Sequence, residues 1–229
     1  MSAGTVADPR ARLVRPLLIA FLVASAVDLF GVLADVGIAH LVAKPLLMPL
    51  LAGYAAARRG PRPLIAALLF GWGGDTLLLP DADAAFLIGM GSFAAGHVCY
   101  LRLFGRARSS VLLGVAYALV LAGLLALLWG GLPADLRIPM AGYSLLLTAM
   151  AYRSSTFGRY AAVGGALFLI SDALIATGIA DLPQLPAPDF WIMLTYIAAQ
   201  FLLTVGALAP GGKWAVVAPG AYRERSISI

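Results

Sequence analysis

The chain has 229 residues, of which 62% are hydrophobic and only 12% are charged. A soluble globular domain has about 45–50% apolar and about 25% charged residues. The composition therefore excludes a water-soluble fold and indicates an integral membrane protein. The single cysteine, Cys99, excludes an intramolecular disulfide framework and any site built from several cysteines.

Eight apolar stretches follow one another along the chain, separated by short connections. Eight membrane helices of about 20 residues would use about 160 positions, which leaves room only for tails and loops. The connections contain helix-breaking runs such as Arg-Gly-Pro-Arg-Pro at 59–63. We therefore predict an all-α integral membrane protein, a single polytopic domain over residues 1–229 with eight transmembrane helices at about 13–33, 41–57, 63–79, 84–103, 111–128, 136–152, 160–179 and 190–209.

Basic residues are concentrated at alternate connections. All but two of the 16 lysines and arginines follow this pattern: Arg10, Arg12, Arg15, Arg58, Arg59, Arg62, Arg102, Arg106, Arg108, Arg153, Arg159, Lys213, Arg223 and Arg225. The other connections carry Asp35, Asp81, Asp83, Asp135, Asp181 and Asp189. The positive-inside rule then predicts that both termini are cytoplasmic. The net charge of +5 reflects orientation in the bilayer, so no nucleic-acid partner is expected.

A cleavable secretory signal is the alternative interpretation of the N-terminus, because Ala24-Ser25-Ala26 follows Arg15 and an apolar run. The apolar run continues through Val27 to Leu33, however, and is long enough to span the bilayer. A first transmembrane helix is therefore the preferred prediction.

Five ionisable side chains lie within the predicted spans, where a buried charge is costly and a functional role is the default hypothesis. They are Asp28, Lys44, Asp75, His97 and Asp172. Each of the three aspartates follows a cytoplasmic arginine by 13 residues, which is about 20 Å at the helical rise. Lys44 reaches the same level on a helix of opposite direction. We predict one layer containing these four charged groups, and one polar cavity lined by Lys44, Asp75 and Asp172.

Three carboxylates and one ammonium do not form a neutral set, so we expect at least one aspartate to keep its proton at pH 7. A protonated acid beside an ionised carboxylate is the arrangement that acid–base chemistry uses. The alternative is structural: Lys44 neutralises an aspartate and the polar layer joins the helices.

Two further polar side chains lie near this layer. His97 shares a helix face with Phe93 and Tyr100. This arrangement favours a core histidine that is hydrogen-bonded to a backbone group or a tyrosine, and contact with a substrate is the alternative. Gln200 follows Tyr196 by four residues and is predicted to serve in packing or to donate a hydrogen bond to a substrate.

The segment before Asp75 contains Gly71, Gly73 and Gly74, which indicates close approach of another helix or of a ligand. The sequence has no pair of histidines at i,i+4 and no cluster of cysteines. We therefore expect no metal and no cofactor, with a metal held by the aspartates as a minor alternative.

Spans three and seven run in the same direction and have related sequences. Leu69-Phe70 precedes Asp75, and Leu167-Phe168 precedes Asp172. The spacing from phenylalanine to aspartate is one residue shorter in span seven than in span three. Spans four and eight each start with phenylalanine and carry an Ala-Ala pair ahead of a polar residue. These features suggest a parallel 4+4 repeat, which would place the two aspartates on opposite walls of a central cavity.

Five short motifs occur in order along the chain. They are Lys44-Pro45-Leu46, Phe70 to Gly74-Asp75-Thr76-Leu77-Leu78, Phe93 to His97 and Tyr100, Gly165-Ala166-Leu167-Phe168 to Ser171-Asp172, and Tyr196 to Gln200. Together they resemble the YhhN family of integral membrane proteins, which includes the lysoplasmalogenases. The resemblance covers spans two to four, seven and eight.

This resemblance implies eight spans and hydrolysis of the vinyl ether bond of lysoplasmalogens, with a fatty aldehyde and glycerophosphoethanolamine or glycerophosphocholine as products. It implies Asp75 and Asp172 as the catalytic pair. The residues predicted to bind the substrate are Lys44, His97, Tyr100, Ser171, Tyr196, Gln200 and Asp28, of which Asp28 is included for its depth alone. Lys44 would either meet the substrate phosphate or hold an aspartate ionised.

The expected partners are a lysolipid substrate and the lipid bilayer, and the pattern fixes no oligomeric state. Scarce lysine beside abundant alanine, glycine and arginine suggests a GC-rich bacterial genome, and hence a multi-pass protein of the bacterial inner membrane. A proton-coupled transporter of a small amphiphile is the alternative function, and broken helices would be its sign. A non-enzymatic membrane scaffold is the third hypothesis.

Overall fold

The computed structural model describes residues 9–80, 82–106 and 109–209. Within these ranges the chain contains α-helices and one short 3-10 helix, and no strand. The helices are α1 (Ala11–Leu33), α2 (Gly37–Ala57), α3 (Arg62–Leu77), α4 (Asp83–Phe104), α5 (Val111–Leu128), α6 (Arg137–Ser154), α7 (Arg159–Ile179) and α8 (Pro188–Leu208). The eight predicted stretches are thus confirmed as helices, with ends displaced by only a few residues.

Six of the described helices, α1, α2, α4, α5, α7 and α8, are long and apolar enough to cross a membrane. The chain is therefore a multi-pass membrane protein. α3 has only 16 residues, and α6 carries Arg137 and Arg153 in its first and last turns. Several residues of the charge pattern, Asp81, Arg108, Lys213, Arg223 and Arg225, lie outside the described residues.

Local sequence explains several helix ends. A proline stands in the first turn of α3 and of α8, where its missing N–H has no intrahelical partner to lose. Ser110 caps α5, because its hydroxyl accepts a hydrogen bond from the Leu113 amide at 3.4 Å. α4 ends at Gly105, whose φ of 64° lies in the left-handed region that glycine tolerates.

The helices form a ring with two peripheral members. Around the ring, α2 contacts α3, α3 contacts α4, α4 contacts α6, α6 contacts α7, α7 contacts α8, and α8 contacts α2. α1 packs against α2 and α8 outside this ring. α5 makes its contacts mainly with α6 and α7, and most of its side chains are exposed. In a 4+4 repeat, α3–α4 would correspond to α7–α8 and α1–α2 to α5–α6. The first two pairs both pack extensively, but α5 and α6 contact each other far less than α1 and α2 do. The 4+4 repeat therefore stays a prediction.

Close packing of α7 on α8 depends on small residues. A Cβ atom at Gly206 would lie 2.7 Å from the Ala161 amide nitrogen and 2.8 Å from the Ala161 Cβ. At Gly142 of α6, by contrast, no atom lies within 4 Å of an added Cβ.

We expect Gly206→Ala to lower the free energy of unfolding by about 1–3 kcal/mol, because overpacking forces two helices apart. Gly142→Ala should raise it by up to about 1 kcal/mol, because alanine is the better helix former. Thermal unfolding of both purified variants in one detergent measures the difference. Equal shifts of the same sign would contradict the close α7–α8 packing.

Candidate functional site

A partly open cavity extends between the helices α2 to α8. It encloses about 960 Å³ of empty space, including the open space at its mouth. The polar side chains on its wall are Lys44, Asp75, Tyr143, Ser144, Ser171, Asp172 and Tyr196. The structure therefore brings Lys44, Asp75 and Asp172 together in one cavity. The rest of the wall is leucine, isoleucine, methionine, phenylalanine and alanine, so the cavity is mainly apolar and not polar as predicted.

Asp75 on α3 ends a chain of hydrogen bonds that begins on α4. The Tyr100 hydroxyl donates to Gln200 Oε1 at 2.7 Å, and Gln200 Nε2 donates to the Tyr196 hydroxyl at 3.3 Å. Tyr196 in turn donates to Asp75 Oδ2 at 2.8 Å. All four side chains are buried. A buried hydrogen-bonded network of this kind restricts the arrangement of its members, so α4 and α8 position the Asp75 carboxylate.

Asp172 on α7 ends a second, shorter chain. The Tyr143 hydroxyl of α6 donates to Asp172 Oδ2, and His97 Nε2 lies 3.2 Å from the same hydroxyl. Because the Tyr143 hydrogen is directed at Asp172, the Tyr143 oxygen accepts from His97, which therefore carries its proton on Nε2. His97 Nδ1 is buried without a hydrogen-bond partner, which agrees with a neutral ring in this tautomer.

Aromatic rings fill the space between the two chains. Phe168 contacts Tyr196 edge to face with ring centres 5.5 Å apart, and it contacts His97 in the same way at 4.9 Å. Phe93 completes the cluster, and an added Cβ at Gly74 would lie 2.4 Å from its ring. Gly74 therefore permits close packing of the Phe93 ring, whereas Gly73 faces Ser92 and Gly71 faces Gln200 and the Tyr196 hydroxyl. Such packing restricts the tyrosines that contact the carboxylates.

Asp28 of α1 is fully buried but does not line the cavity. Its Oδ1 lies 2.9 Å from Nδ1 of His40 on α2, and its Oδ2 has no hydrogen-bond partner. This contact joins a carboxylate and a basic side chain across α1 and α2. By contrast, no carboxylate oxygen of the three aspartates lies within 4 Å of the Lys44 ammonium.

The predicted binding residues fall into two groups. Lys44, Ser171 and Tyr196 line the cavity, and the Ser171 hydroxyl donates to the Ile192 carbonyl oxygen at 3.1 Å. The others, His97, Tyr100, Gln200 and Asp28, are buried behind the wall. His97, Tyr100 and Gln200 are linked to the aspartates only through the hydroxyls of Tyr143 and Tyr196.

Sequence similarity places this architecture among known proteins. The model of the YhhN family matches residues 39–207. The chain belongs to the YhhN family. Its match includes every predicted site residue except Asp28, which precedes it. No solved structure is significantly similar to this YhhN protein.

Curated relatives of this YhhN protein carry the name of an enzyme. It is 38% identical over 137 residues to "Lysoplasmalogenase TMEM86B" of Homo sapiens, which covers 59% of this chain and 58% of the human protein. Identity to the Rattus norvegicus protein of the same name is 35%, over 66% of this chain and 73% of the rat protein. "Lysoplasmalogenase" of Mycobacterium bovis is 34% identical over 71% of this chain and 68% of the mycobacterial protein.

Sequence reasoning missed Tyr143, Ser144 and His40. Tyr143-Ser144 is a polar pair inside span six, to which the five motifs of the family resemblance do not extend. His40 precedes Lys44 by four residues and so shares its helix face, a spacing that does indicate proximity to the charged layer. The contact between Tyr143 and Asp172 depends on how α6 packs against α7, which no local pattern reveals.

Proposed function

We propose that this YhhN protein is a membrane hydrolase that cleaves the vinyl ether bond of lysoplasmalogens. The observation that carries the proposal is that Asp75 and Asp172, from two different helices, line one mainly apolar cavity together with Lys44. The names of the curated relatives support the substrate class. A lysolipid with one hydrocarbon chain matches a cavity with a charged region and apolar walls.

The chemistry needs an acid and a carboxylate. One aspartate donates a proton to the β-carbon of the vinyl ether, which leaves an oxocarbenium ion at the α-carbon. The other stabilises that cation and directs water to it, and the proton released by the water returns to the aspartates. The resulting hemiacetal loses its C–O bond to give a fatty aldehyde and a free glycerol hydroxyl. Water is the only co-reactant.

The hydrogen-bond chains support distinct positions for the two carboxyl groups. Each accepts a hydrogen bond at Oδ2 from a tyrosine that also lines the cavity. A carboxyl group held in this way keeps its other oxygen in a fixed direction, which proton transfer requires. In this proposal Tyr143 and Tyr196 orient the acid and the carboxylate, and His97 and Gln200 hold the tyrosines.

Lys44 is proposed to bind the substrate phosphate, because its ammonium lies in the cavity with no aspartate oxygen within 4 Å and lysine is a common phosphate ligand. We expect Lys44→Met to raise KM for lysoplasmalogen by about 10- to 100-fold, the scale of a hydrogen bond to a charged group, with kcat nearly unchanged. Lys44→Arg, which keeps the charge, should retain most of the affinity. A fall in kcat at constant KM would show instead that Lys44 poises the aspartates.

The transporter alternative is not favoured. Broken helices were its expected sign, but α2 runs continuously through Pro45 and Pro49, and α3 runs through the glycines before Asp75. The relatives are named for an enzyme, and no observation in the structure favours transport over hydrolysis.

The proposal includes a topology with eight spans, both termini cytoplasmic, in the inner membrane of a bacterium. At about 1.5 Å per residue, α3 is shorter than the hydrocarbon core, so the bilayer would thin locally or α3 would lie within the bundle. The alternation of arginine and aspartate connections supports this orientation.

A cysteine scan tests the orientation in a Cys99→Ser background. We expect Ala82→Cys, in the α3–α4 connection, to react in intact cells with a thiol reagent that cannot cross the inner membrane. Arg106→Cys, after α4, should react only after permeabilisation. Both positions are exposed. The reverse labelling pattern would place the termini outside.

The test of the activity is release of free aldehyde by the purified full-length protein from a lysoplasmalogen. The matched control is the alkyl ether lysolipid of the same chain and headgroup, which lacks the vinyl double bond and cannot be protonated at carbon. Aldehyde from the first lipid alone is the expected result. Absence of aldehyde from both, with a folded protein, would exclude the proposed function.

A further inference from the structure

The cavity extends well beyond the two aspartates. On α7, Asp172, Ile175 and Ile179 all line it, at the spacing of one helix face. Ile179 follows Asp172 by seven residues, which is about 10 Å along the helix. α5 contributes four leucines to the wall. We call this region the apolar arm; its lining includes Ile175, Ile179, Leu121, Leu124, Leu125 and Leu128.

The residues that define the apolar arm offer no side-chain hydrogen-bond donor or acceptor. A polar headgroup placed there would lose its hydrogen bonds to water without replacement, which is costly, whereas a hydrocarbon chain loses nothing. The arm is continuous with the region that contains Asp75 and Asp172. A chain in the arm can therefore be attached to a group that lies at the aspartates.

The α5 wall of the arm is only partly packed. Leu121, Leu124 and Leu125 line the cavity and are half-buried, whereas Leu128 is buried in a small apolar cluster at one end of the arm. The opposite face of α5 is open, with Leu119 68% and Leu127 61% exposed. α5 thus separates the arm from the outside of the protein.

We propose that the apolar arm binds the hydrocarbon chain of the lysolipid and that Ile175 and Ile179 determine the longest chain accepted. This inference rests on the proposed function, since the vinyl ether joins the chain directly to the atoms that must lie at the aspartates. Ile175 lies about 4.5 Å beyond Asp172 along α7, and Ile179 about 10 Å. The two positions therefore correspond to different points along the bound chain.

Tryptophan substitutions at these two positions test the chain-length rule. The purified full-length protein is assayed for aldehyde release with butenyl, octenyl and dodecenyl lysoplasmalogens of one headgroup. Ile179→Trp should lower kcat/KM for the dodecenyl lipid by about 10-fold or more, the effect of displacing methylene groups from an apolar pocket. The butenyl lipid should be little affected. Ile175→Trp, nearer the aspartates, should reject the octenyl lipid as well.

Ile170→Trp is the matched control, because Ile170 lies on the same helix, is 49% exposed and does not line the cavity. It should leave the dependence on chain length unchanged. The assignment of the arm would be overturned if all three variants kept the wild-type dependence of kcat/KM on chain length, or if the losses were equal for all three lipids. Hydrolysis by the wild type would still uphold the proposed function in that case.

Binding of saturated lysophosphatidylcholines of the same three chain lengths separates the two proposals. These lipids have no vinyl ether, so their Kd depends on the arm and not on the chemistry. The wild type could release no aldehyde while the variants show a raised Kd for the longer chains in the expected order. That result would uphold the arm and exclude the hydrolase proposal. A Kd with no such order overturns the arm.

Discussion

Replacing Asp75 or Asp172 by asparagine is expected to lower the turnover of lysoplasmalogen by at least about 100-fold, the scale of a general acid's contribution. Asparagine keeps the shape of the side chain and can still accept from Tyr196 or Tyr143. It can neither donate a proton to carbon nor carry the negative charge that stabilises an oxocarbenium ion. The rate of aldehyde release at saturating substrate is the measurement.

Asp83→Asn is the matched control for this pair, because Asp83 begins α4 at an exposed position away from the cavity. It should retain wild-type turnover. The double variant with Asp75→Asn and Asp172→Asn should be scarcely slower than either single variant, since groups that act as a unit are not additive. Near-normal turnover in both single variants, with wild-type folding, would end the acid–base assignment.

Loss of the Tyr143 hydroxyl should reduce kcat by about 10- to 100-fold with little change in KM. A hydrogen bond to a charged group contributes about 1.5–3 kcal/mol, and each 1.36 kcal/mol is about tenfold in rate. Tyr143→Phe keeps the ring that packs against His97 and removes only the atom that donates to Asp172 and accepts from His97. Steady-state kinetics with one lysoplasmalogen test this expectation.

Tyr117→Phe provides the comparison for Tyr143→Phe. Tyr117 of α5 is half-buried against Tyr152, and it does not line the cavity. A structural effect of losing a tyrosine hydroxyl in the bundle would appear in both variants as lower thermal stability. A positioning role appears only in Tyr143→Phe, as lower kcat at unchanged KM. If both variants kept wild-type kcat, Tyr143 would have no part in orienting Asp172.

The helices could be predicted closely from the sequence because each has a simple local cause. A stretch of apolar residues in a bilayer must satisfy its own backbone hydrogen bonds, and a helix does so within the segment. Glycine, proline and charged residues then mark the ends. The prediction of α5 at 111–128 coincides with the helix Val111–Leu128, and the α2 prediction begins four residues late because Gly37 to His40 carries a weaker apolar signal.

The candidate site was predicted in part. Depth along each helix follows from residue counting, and Lys44, Asp75 and Asp172 do line one cavity. The side of the helix that faces the cavity does not follow from depth, which is why Asp28, at the same predicted level, contacts His40 of α2 and does not line the cavity. His97, Tyr100 and Gln200 lie behind the wall for the same reason.

The sequence by itself determined that this is a multi-pass helical membrane protein of the YhhN family with two aspartates that each follow an arginine by 13 residues, because composition, periodicity and motifs are local properties of the chain. Only the tertiary structure decided which side chains meet. Tyr143 joins Asp172 to His97, Tyr196 joins Asp75 to Gln200, and the leucines of α5 extend the cavity into an apolar arm. Such contacts join helices far apart in the chain, and apolar helices of similar composition can pack in many ways until side-chain shape and buried hydrogen bonds select one.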